Sequence, residues 1–376
     1  MTLTRRDLGK LALGAVPAAG WLFRTDRAFG APVESWAVDA AQGKPNSRWA
    51  GVQVGMNVPY NFGEGNYVSG EEILKRCIQL NISGVELRMQ PVELFMGSPE
   101  AIAAAATAAR GRAARAGGVT TITLPDPAPA TPGAPAAEGA RRGGGGGGRG
   151  GRAPLTPEQE AAQKAAASDL SKWRVSAAMT KVKEFKKMYD DAGIAIEIVK
   201  VDGIFGFTDD VLDYTFTLVK NLGARAISTE ISTAADRAAQ FKRLGQFAEK
   251  HKTMVGFHGH TATGPLQFEE AFAGGPFNGA NLDIGHFLGG NKTSPIPFLK
   301  QYHQRITHIH VKDKTLDDRN VPFGTGDTPI KEALQTIRDN KWNIQATIEF
   351  EYAVPQGSDR MAEMKKCVEF CKQCLV

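Results

Sequence analysis

Short apolar runs of β-strand character alternate with helical segments along most of this 376-residue chain. Such alternation predicts βαβ units with parallel strands, and eight units in roughly 250 ordered residues close into a (β/α)8 TIM barrel of the α/β class. A doubly wound open sheet is the alternative, but no glycine fingerprint follows the first strand. The predicted strands are 51–57, 84–89, 194–201, 224–230, 253–258, 280–285, 306–312 and 344–351. The predicted helices lie near 70–80, 170–191, 208–221, 232–250, 266–273, 294–304, 329–340 and 358–374.

A low-complexity segment interrupts this alternation after the second strand. Residues 98–167 are dominated by Ala, Gly, Pro and Arg and include GGGGGGRGGR at 143–152. Such a composition cannot bury enough apolar surface to offset the entropy of ordering it. We therefore predict a disordered surface insert within a single barrel domain, with a short helix in 99–115 as its one ordered part.

The first thirty residues have the composition of an export signal. Arg5 and Arg6 precede a 13-residue apolar run at 11–23, and small residues follow at 28–30. This pattern resembles a twin-arginine (Tat) signal, and the run is shorter than the roughly 20 residues of a membrane span. Residues 31–48 are predicted to be an irregular leader and 49–376 the barrel. We expect a periplasmic or secreted protein with no stable membrane insertion after signal removal.

Residues of the metal-ligand type are concentrated in the last four predicted strands. Five of the seven histidines lie in VGFHGH (255–260), NLDIGH (281–286), THIHVKD (307–313) and ATIEFEY (346–352). Side chains alternate between the two faces of a strand, so ligand-type residues two positions apart share a face. The pairs are His258 with His260, His308 with His310, and Glu349 with Glu351. Because unpaired buried charges are costly, one divalent cation is the simplest partner for all of them.

The active site of such a barrel lies at the carboxyl ends of its strands, where these residues occur. Mixed imidazole and carboxylate ligands suit Mn²⁺, Mg²⁺, Co²⁺ or Zn²⁺. The predicted metal ligands are Asp283, His310 and Glu349, joined by His258 or His260, with Glu230 as a further candidate.

The order of these motifs resembles the xylose isomerase-like TIM barrels, the sugar phosphate isomerase/epimerase superfamily. The likeness covers residues 50–375 apart from the insert, and it rests on D-x-x-H at 283–286, H-x-K-D at 310–313 and the acidic last strand. The resemblance implies one metal held by Glu, Asp, His and Glu from strands five to eight. Asp283, His310 and Glu349 match three of these, but His258 stands in place of the first Glu. His258 is then a ligand or a free base, or Glu230 supplies the missing carboxylate.

The resemblance also implies a reaction, the removal of a proton next to a carbonyl. This chemistry needs a base of tuned pKa and a cation where negative charge develops. His260 or Glu351 is the candidate base or acid, and the resemblance implies that His286 contacts a substrate hydroxyl. Lys312 is a candidate for assisting an oxyanion, but it is equally well interpreted as the partner of Asp313 in a structural ion pair.

The leading hypothesis is an exported, metal-dependent sugar isomerase or epimerase. Loss of a β-substituent after the same proton abstraction would instead make a lyase or dehydratase of keto-inositols or 3-keto-glycosides. Export favours an unphosphorylated carbohydrate, and the segment 323–330 (FGTGDTPI) is more simply a turn than a phosphate cradle. A non-catalytic sugar-binding barrel is a further alternative. Related barrels often form dimers or tetramers, so a homo-oligomer is compatible with the resemblance.

A nucleic-acid partner is not expected. Residues 1–30 hold five basic and two acidic side chains and residues 101–168 hold eight and four, so the rest of the chain has a net charge of −2. A three-zinc DNA repair endonuclease shares the fold but needs histidines on earlier strands, and none precedes His251.

The four cysteines are Cys77, Cys367, Cys371 and Cys374, and the last three share one helical face. Packing in the core is the simpler interpretation, although an oxidising compartment would permit a disulfide.

Overall fold

Eight parallel strands close into a ring in the computed structural model, which describes residues 43–117 and 156–376. Each strand pairs with the next in chain order, and the last pairs with the first, so the predicted (β/α)8 barrel is confirmed. The strands are β1 (Val52–Val58), β2 (Gly84–Arg88), β3 (Ala195–Lys200), β4 (Ala226–Glu230), β5 (Met254–His258), β6 (Asn278–Asp283), β7 (Ile306–Val311) and β8 (Gln345–Ile348). Residues Pro45–Val376 form one compact unit.

Helices follow the strands and cover the outside of the barrel. They are α1 (Gly70–Gln79), α2 (Met89–Met96), α3 (Pro99–Gly117), α4 (Pro157–Ser176), α5 (Thr180–Asp191), α6 (Asp209–Asn221), α7 (Arg237–His251), α8 (Pro265–Ala273), α9 (Ile284–Asn291), α10 (Ile296–Tyr302), α11 (Ile330–Asp339) and α12 (Arg360–Leu375). Short 3-10 turns occur at Tyr60–Phe62, Ile204–Gly206 and His303–Arg305. Arg48–Trp49 pairs antiparallel with β1, and Asp313–Lys314 forms a hairpin with Asn320–Val321. Among the described helices, none has both the length and the apolar character to cross a bilayer.

Local sequence explains where typical helices begin and which face they bury. Ser69 caps α1 by accepting a hydrogen bond from the Glu72 backbone N–H, and Ile73 and Cys77, four positions apart, are both buried. All four cysteines are free and buried, as core packing predicts. The apolar residues of the strands and helices form one continuous core between the two layers.

The prediction of a single helix over 170–191 is wrong. The helical conformation is interrupted at residues 177–179, between α4 and α5. Each helix is fixed to the barrel by a different contact. Arg174 at the end of α4 donates to both carboxylate oxygens of buried Glu93, at 2.7 and 3.1 Å, whereas Phe185 of α5 is fully buried in the core. The residues at the break, Ala177, Ala178 and Met179, are strong helix formers, so their own propensity does not explain the interruption.

The insert is helical at both of its described ends. The helix predicted within 99–115 is present as α3, and α4 extends from residue 157 through the end of the predicted insert. The Ala, Glu, Gln and Lys residues of 157–167 are strong helix formers, a local signal that the overall composition of the insert obscured. The rest of the predicted insert, 118–155, lies outside the described residues, as do residues 1–42 with the predicted export signal and most of the leader.

Two helices that the sequence did not reveal start directly where strands end. α2 begins at Met89, immediately after β2, and α9 begins at Ile284, immediately after β6. No turn residues separate strand from helix at either point. The change from the two-residue repeat of a strand to the 3.6-residue repeat of a helix therefore falls within one apolar run and is not visible in the sequence. The start of α9 matters for the site, because it fixes the spacing of Asp283 and His286.

Candidate metal and acid–base site

Four buried side chains from four consecutive strands bring ligand atoms together at the carboxyl end of the barrel. His258 ends β5, Asp283 ends β6, His310 lies in β7, and Glu349 directly follows β8. Each offers one ligand atom, and the four atoms lie within 4.8 Å of one another. The strand register pairs Asp283 with His310, so the two side chains extend from the same level of the barrel wall. We refer to these four residues as the ligand group.

Each member of the ligand group has one buried atom without a well-directed hydrogen bond. These atoms are His258 Nδ1, Asp283 Oδ2, His310 Nδ1 and Glu349 Oε2. The Lys312 ammonium lies 3.0 Å from Asp283 Oδ2 and 2.6 Å from Glu349 Oε2, which compensates their charge without satisfying the direction of their lone pairs. Buried polar atoms are rarely left in this state. Two imidazole nitrogens and two carboxylate oxygens form a donor set that fits a divalent metal ion.

Three members of the ligand group are oriented through their other polar atom. Asp283 Oδ1 caps α9 by accepting the His286 backbone N–H at 2.7 Å, so a helix start accounts for the D-x-x-H spacing. Glu349 Oε1 accepts from Asn57 Nδ2 at 3.0 Å. His310 Nε2 lies 2.5 Å from Oε2 of Glu86.

Glu230 does not belong to the ligand group. Its Oε1 atom accepts from Lys200 Nζ at 2.5 Å and its Oε2 atom lies 2.6 Å from His260 Nε2. The structure therefore places His258, not Glu230, beside the other three ligand candidates. The side chain of His260 is 60% exposed, and its ring centroid lies 4.7 Å from that of His258. Glu230 and His260 thus form a carboxylate–imidazole pair that opens to solvent next to the ligand group.

Lys312 is the central cation of the site. Its ammonium contacts Asp283 and Glu349 and lies 2.7 Å from Glu351 Oε2. The predicted Lys312–Asp313 ion pair is wrong, because neighbouring residues of an extended chain face opposite sides. The Asp313 carboxylate instead accepts backbone N–H groups of the following loop, among them that of Gly326 at 2.9 Å.

Close packing at the start of α9 holds Lys312 in place. A Cβ atom on Gly285 would lie 2.5 Å from Lys312 Cγ, so only glycine lets the first turn of α9 approach this side chain.

The two remaining predicted catalytic residues flank Lys312. Glu351 Oε1 accepts from the Tyr60 hydroxyl at 2.8 Å. His286 is buried with both ring nitrogens engaged, because Nε2 lies 3.0 Å from Lys312 Nζ and Nδ1 lies 3.0 Å from Thr261 Oγ1. The role of His286 as a contact for a substrate hydroxyl stays a prediction.

Burial and neighbouring charges divide the imidazoles into neutral and protonated groups. Burial and the nearby His310 lower the pKa of His258, and burial together with Lys312 lowers that of His286 to about 3. Burial also opposes protonation of His310, but Glu349 and Glu86 raise its pKa to about 10. The hydrogen bond to Glu230 raises the pKa of His260. In the metal-free state His258 therefore offers a lone pair at neutral pH, and His310 carries a proton that a metal must displace.

The carboxylates respond to the same charges. Burial would raise the pKa of Glu349, but Lys312 and His310 hold it well below its usual range. Burial raises the pKa of Asp283, partly offset by Lys312. Conversely, Asp283, Glu349 and Glu351 outweigh burial and raise the pKa of Lys312 well above its usual value. Lys312 is consequently a permanent cation, which keeps the carboxylates available as ligands.

The sequence analysis missed several residues of the first three strands and their ends. Glu86 of β2, Asn57 of β1, Lys200 of β3 and Tyr60 after β1 all contact predicted site residues. Glu86, His308 and His310 also form a second buried group of ligand type. Alternation was the available signal, because Glu86 lies between the buried apolar residues Val85 and Leu87 and so faces the interior.

Comparisons with known proteins agree with this fold. A probable 3-DHS dehydratase, AsbF, of petrobactin synthesis in Bacillus anthracis has 14% identity and a TM-score of 0.51, covering 84% of this chain and 98% of its own. A xylose isomerase domain protein from Alicyclobacillus acidocaldarius has 9% identity and a TM-score of 0.52, covering 86% and 98%. Identities this low establish a common fold alone, and no curated protein sequence matches the chain. The model of the xylose isomerase-like TIM barrels matches residues 167–374, more than half of the sequence, and the chain belongs to that family.

Proposed function

We propose that the protein is a metal-dependent isomerase or epimerase that removes a proton next to a carbonyl of an unphosphorylated carbohydrate. One observation carries this proposal: two acid–base side chains lie beside the ligand group, His260 next to His258 and Glu351 next to Lys312. Family membership agrees with an enzyme acting on a small carbohydrate.

His258, Asp283, His310 and Glu349 would hold the metal. The two imidazole nitrogens favour Mn²⁺, Co²⁺ or Zn²⁺ over Mg²⁺, which prefers oxygen ligands. A divalent ion held by these residues would supply Lewis-acid polarisation of a substrate carbonyl. Lys312 adds a fixed positive charge beside the same oxygen ligands.

His260 is the first acid–base group. Its Nε2 atom is bonded to Glu230, which leaves Nδ1 to exchange a proton with a substrate. Glu230 is in turn held by Lys200, a buried cation, so the imidazole is oriented by two successive contacts. The raised pKa of His260 favours its protonated form, in which the ring can donate a proton as a general acid.

Glu351 is the second acid–base group, and His286 lies near both Glu351 and His260. The ring centroids of His260 and His286 are 5.1 Å apart, and His286 Nε2 lies 4.0 Å from Glu351 Oε2. An epimerase needs one group to remove a proton from one face of a carbon and another to return it on the opposite face. We assign these two steps to His260 and Glu351, which both lie near His286.

A lyase is the second candidate, and the surroundings of Glu351 favour it. Burial and the nearby Glu351 raise the pKa of Tyr60, so its hydroxyl stays protonated beside the protonated Lys312. The Tyr60 hydroxyl can protonate a leaving group on the carbon β to the carbonyl, and the Lys312 ammonium can stabilise the charge of that group, which would turn proton abstraction into elimination. Export through the twin-arginine pathway to the periplasm or medium, and the unphosphorylated substrate that export favours, remain part of the proposal.

Metal analysis followed by proton exchange tests this function. We expect one divalent ion per chain in the wild-type protein, lost in His310→Ala and Asp283→Ala but kept in His303→Ala, which removes a surface imidazole stacked on Trp342. The loaded protein should exchange the α-proton of a keto-sugar into deuterated water. A new stereoisomer indicates epimerisation and an unsaturated product indicates elimination. Failure of the wild type to bind metal after reconstitution would rule out the metal mechanism, and sugar binding without exchange would indicate a non-catalytic barrel.

A further inference from the structure

Glu86 is a fully buried carboxylate in the middle of β2, and its charge partners are two imidazoles. Its Oε2 atom lies 2.5 Å from His310 Nε2 and 3.4 Å from His308 Nε2, and all three side chains are buried. A buried carboxylate without a partner is strongly destabilising. Glu86 therefore needs a proton donor, and only these two rings are placed to supply one within the described residues.

His308 cannot be that donor while it is neutral. Its Nδ1 atom lies 2.8 Å from Thr307 Oγ1, and the hydroxyl of Thr307 donates its proton to the Ala280 carbonyl at 3.1 Å. The Thr307 oxygen must then accept from His308, which places the ring proton on Nδ1 and a lone pair on Nε2. Consequently Glu86 relies on His310.

The two nitrogens of His310 face different environments. Nε2 contacts Glu86 and lies 3.0 Å from the side-chain amide of Asn281. The amide oxygen of Asn281 has no other partner, so with that oxygen turned toward the ring it is a second acceptor for a proton on Nε2. Nδ1 instead lies 3.2 Å from Glu349 Oε2 and 3.9 Å from Asp283 Oδ2 within the ligand group. An ionised carboxylate only accepts hydrogen bonds, so the contact with Glu86 requires a proton on Nε2. When the ring is neutral, the free lone pair is then on Nδ1, which faces the proposed metal position.

We propose that Glu86 is a positioning residue that fixes the tautomer of His310 and so presents Nδ1 to a divalent metal ion. This inference rests on the metal site of the proposed function. Carboxylates that accept the second N–H of a ligating imidazole orient the ring and increase its basicity. The ligand is thus prepared by a residue of β2, on a different part of the barrel wall from the four ligand strands.

A second metal site at Glu86, His308 and His310 is the rival explanation. Two ligands of a common tetrahedral zinc ion lie roughly 3.4 Å apart for metal–ligand distances near 2.1 Å. The 2.5 Å between Glu86 Oε2 and His310 Nε2 is shorter and corresponds to a hydrogen bond. The geometry thus favours a shared proton over a shared ion.

Zinc affinity, measured by competition with a chelator, tests the inference first. We expect Glu86→Gln to weaken zinc binding by about 10–100-fold with one ion still bound per chain. Glu363→Gln is the matched control, because Glu363 is a buried acid held by Tyr352 and Ser358, which are not part of the site. An unchanged affinity in Glu86→Gln, or an equal loss in Glu363→Gln, overturns the inference.

A second measurement uses the wild-type protein and does not depend on the variant folding. ¹⁵N NMR of histidine-labelled, zinc-loaded protein should show His310 bound through Nδ1 with a strongly hydrogen-bonded proton on Nε2. Binding through Nε2 overturns the inference, as do two zinc ions per chain of which Glu86→Gln loses one. A wild type that binds no zinc overturns this inference and the metal-dependent function together. Zinc bound through Nδ1 without proton exchange on any sugar overturns only the function.

Discussion

The two ends of the barrel interior are both polar, but they are built from different chemistry. At the amino ends of the strands, Gln53 Nε2 donates to Ser47 Oγ at 3.0 Å and to Ser83 Oγ at 3.2 Å, and Gln345 donates to Thr347 at 2.9 Å. At the carboxyl ends, charged carboxylates and imidazoles surround Lys312 and leave ligand atoms without directed partners. At the amino end, neutral amides and hydroxyls bond to one another, and Gln345 Oε1 is left without a partner. The charged end instead presents carboxylate and imidazole atoms that could hold a divalent cation. The difference separates a stabilising end from a reactive end.

Removing the central cation should have the largest effect on stability. Lys312→Met removes the counter-charge that Asp283, Glu349 and Glu351 share, and breaking a buried ion pair in this way costs about 3–5 kcal/mol. Protonated His310, 3.2 Å from Glu349 Oε2, compensates only part of the loss. Chemical denaturation of the metal-free variant should show this loss in the free energy of unfolding. Added Zn²⁺ or Mn²⁺ should restore part of it, and equal stability with and without metal would argue against a cation site.

Removing one ligand charge should abolish metal binding while keeping the fold. Asp283→Asn retains a side chain that caps α9 but loses the negative charge of Oδ2. We expect metal affinity to fall by more than about 100-fold. This loss is larger than that typical of a residue that only hydrogen-bonds to a metal ligand. Isothermal titration calorimetry measures the metal affinity, and thermal unfolding shows whether the variant keeps its fold. If Asp283→Asn lowers the thermal stability but leaves the metal affinity unchanged, capping α9 is the more important role of Asp283.

The charged end should also bind metal in a pH-dependent manner. Glu349 and Glu86 raise the pKa of His310 to about 10 against the opposing effect of burial, so the metal-free ring is protonated at neutral pH. Binding must release that proton, and the affinity should therefore increase by about tenfold per pH unit between pH 6 and 9. Calorimetric titrations in buffers of different ionisation enthalpy count the released protons. An affinity that is independent of pH would contradict a ligand role for His310.

The smallest expected effect on stability is at the amino ends of the strands. Gln53→Ala removes hydrogen bonds to Ser47 and Ser83 and should lower the free energy of unfolding by about 1 kcal/mol. Metal affinity and its pH dependence should not change, because no titratable group of the ligand group is involved. A change in metal binding would show that the two ends of the barrel are coupled, and would contradict the division into a stabilising amino end and a reactive carboxyl end.

Much of the fold was predictable because its signals are local. Each strand appears in the sequence as a short apolar run, and all eight predicted strands overlap the observed ones. The break between α4 and α5 was not predicted, and a contact near the end of α4 joins Arg174 to Glu93 across 81 residues of sequence. The starts of α2 and α9 were concealed because apolar residues continue from strand into helix.

The candidate site was predictable only in part. Asp283, His310 and Glu349 lie at interior positions of adjacent strands, so alternation and strand order were sufficient to bring them together. The partners of Lys312 and the placement of Glu230 beside His260 required the structure. Nothing in the local sequence states which of two neighbouring acids a lysine reaches.

The sequence by itself therefore determined the barrel, the order of its strands and the end at which ligand-type residues collect. Period-two alternation fixes which side of a strand each residue faces, and chain order fixes which strands are neighbours. Only the tertiary structure decided that His258 joins the ligand group and that Glu86, 224 residues before His310, contacts it. The reason is physical: contacts across a closed barrel depend on the strand register and on the packing of the interior, and a residue's immediate neighbours in sequence specify neither.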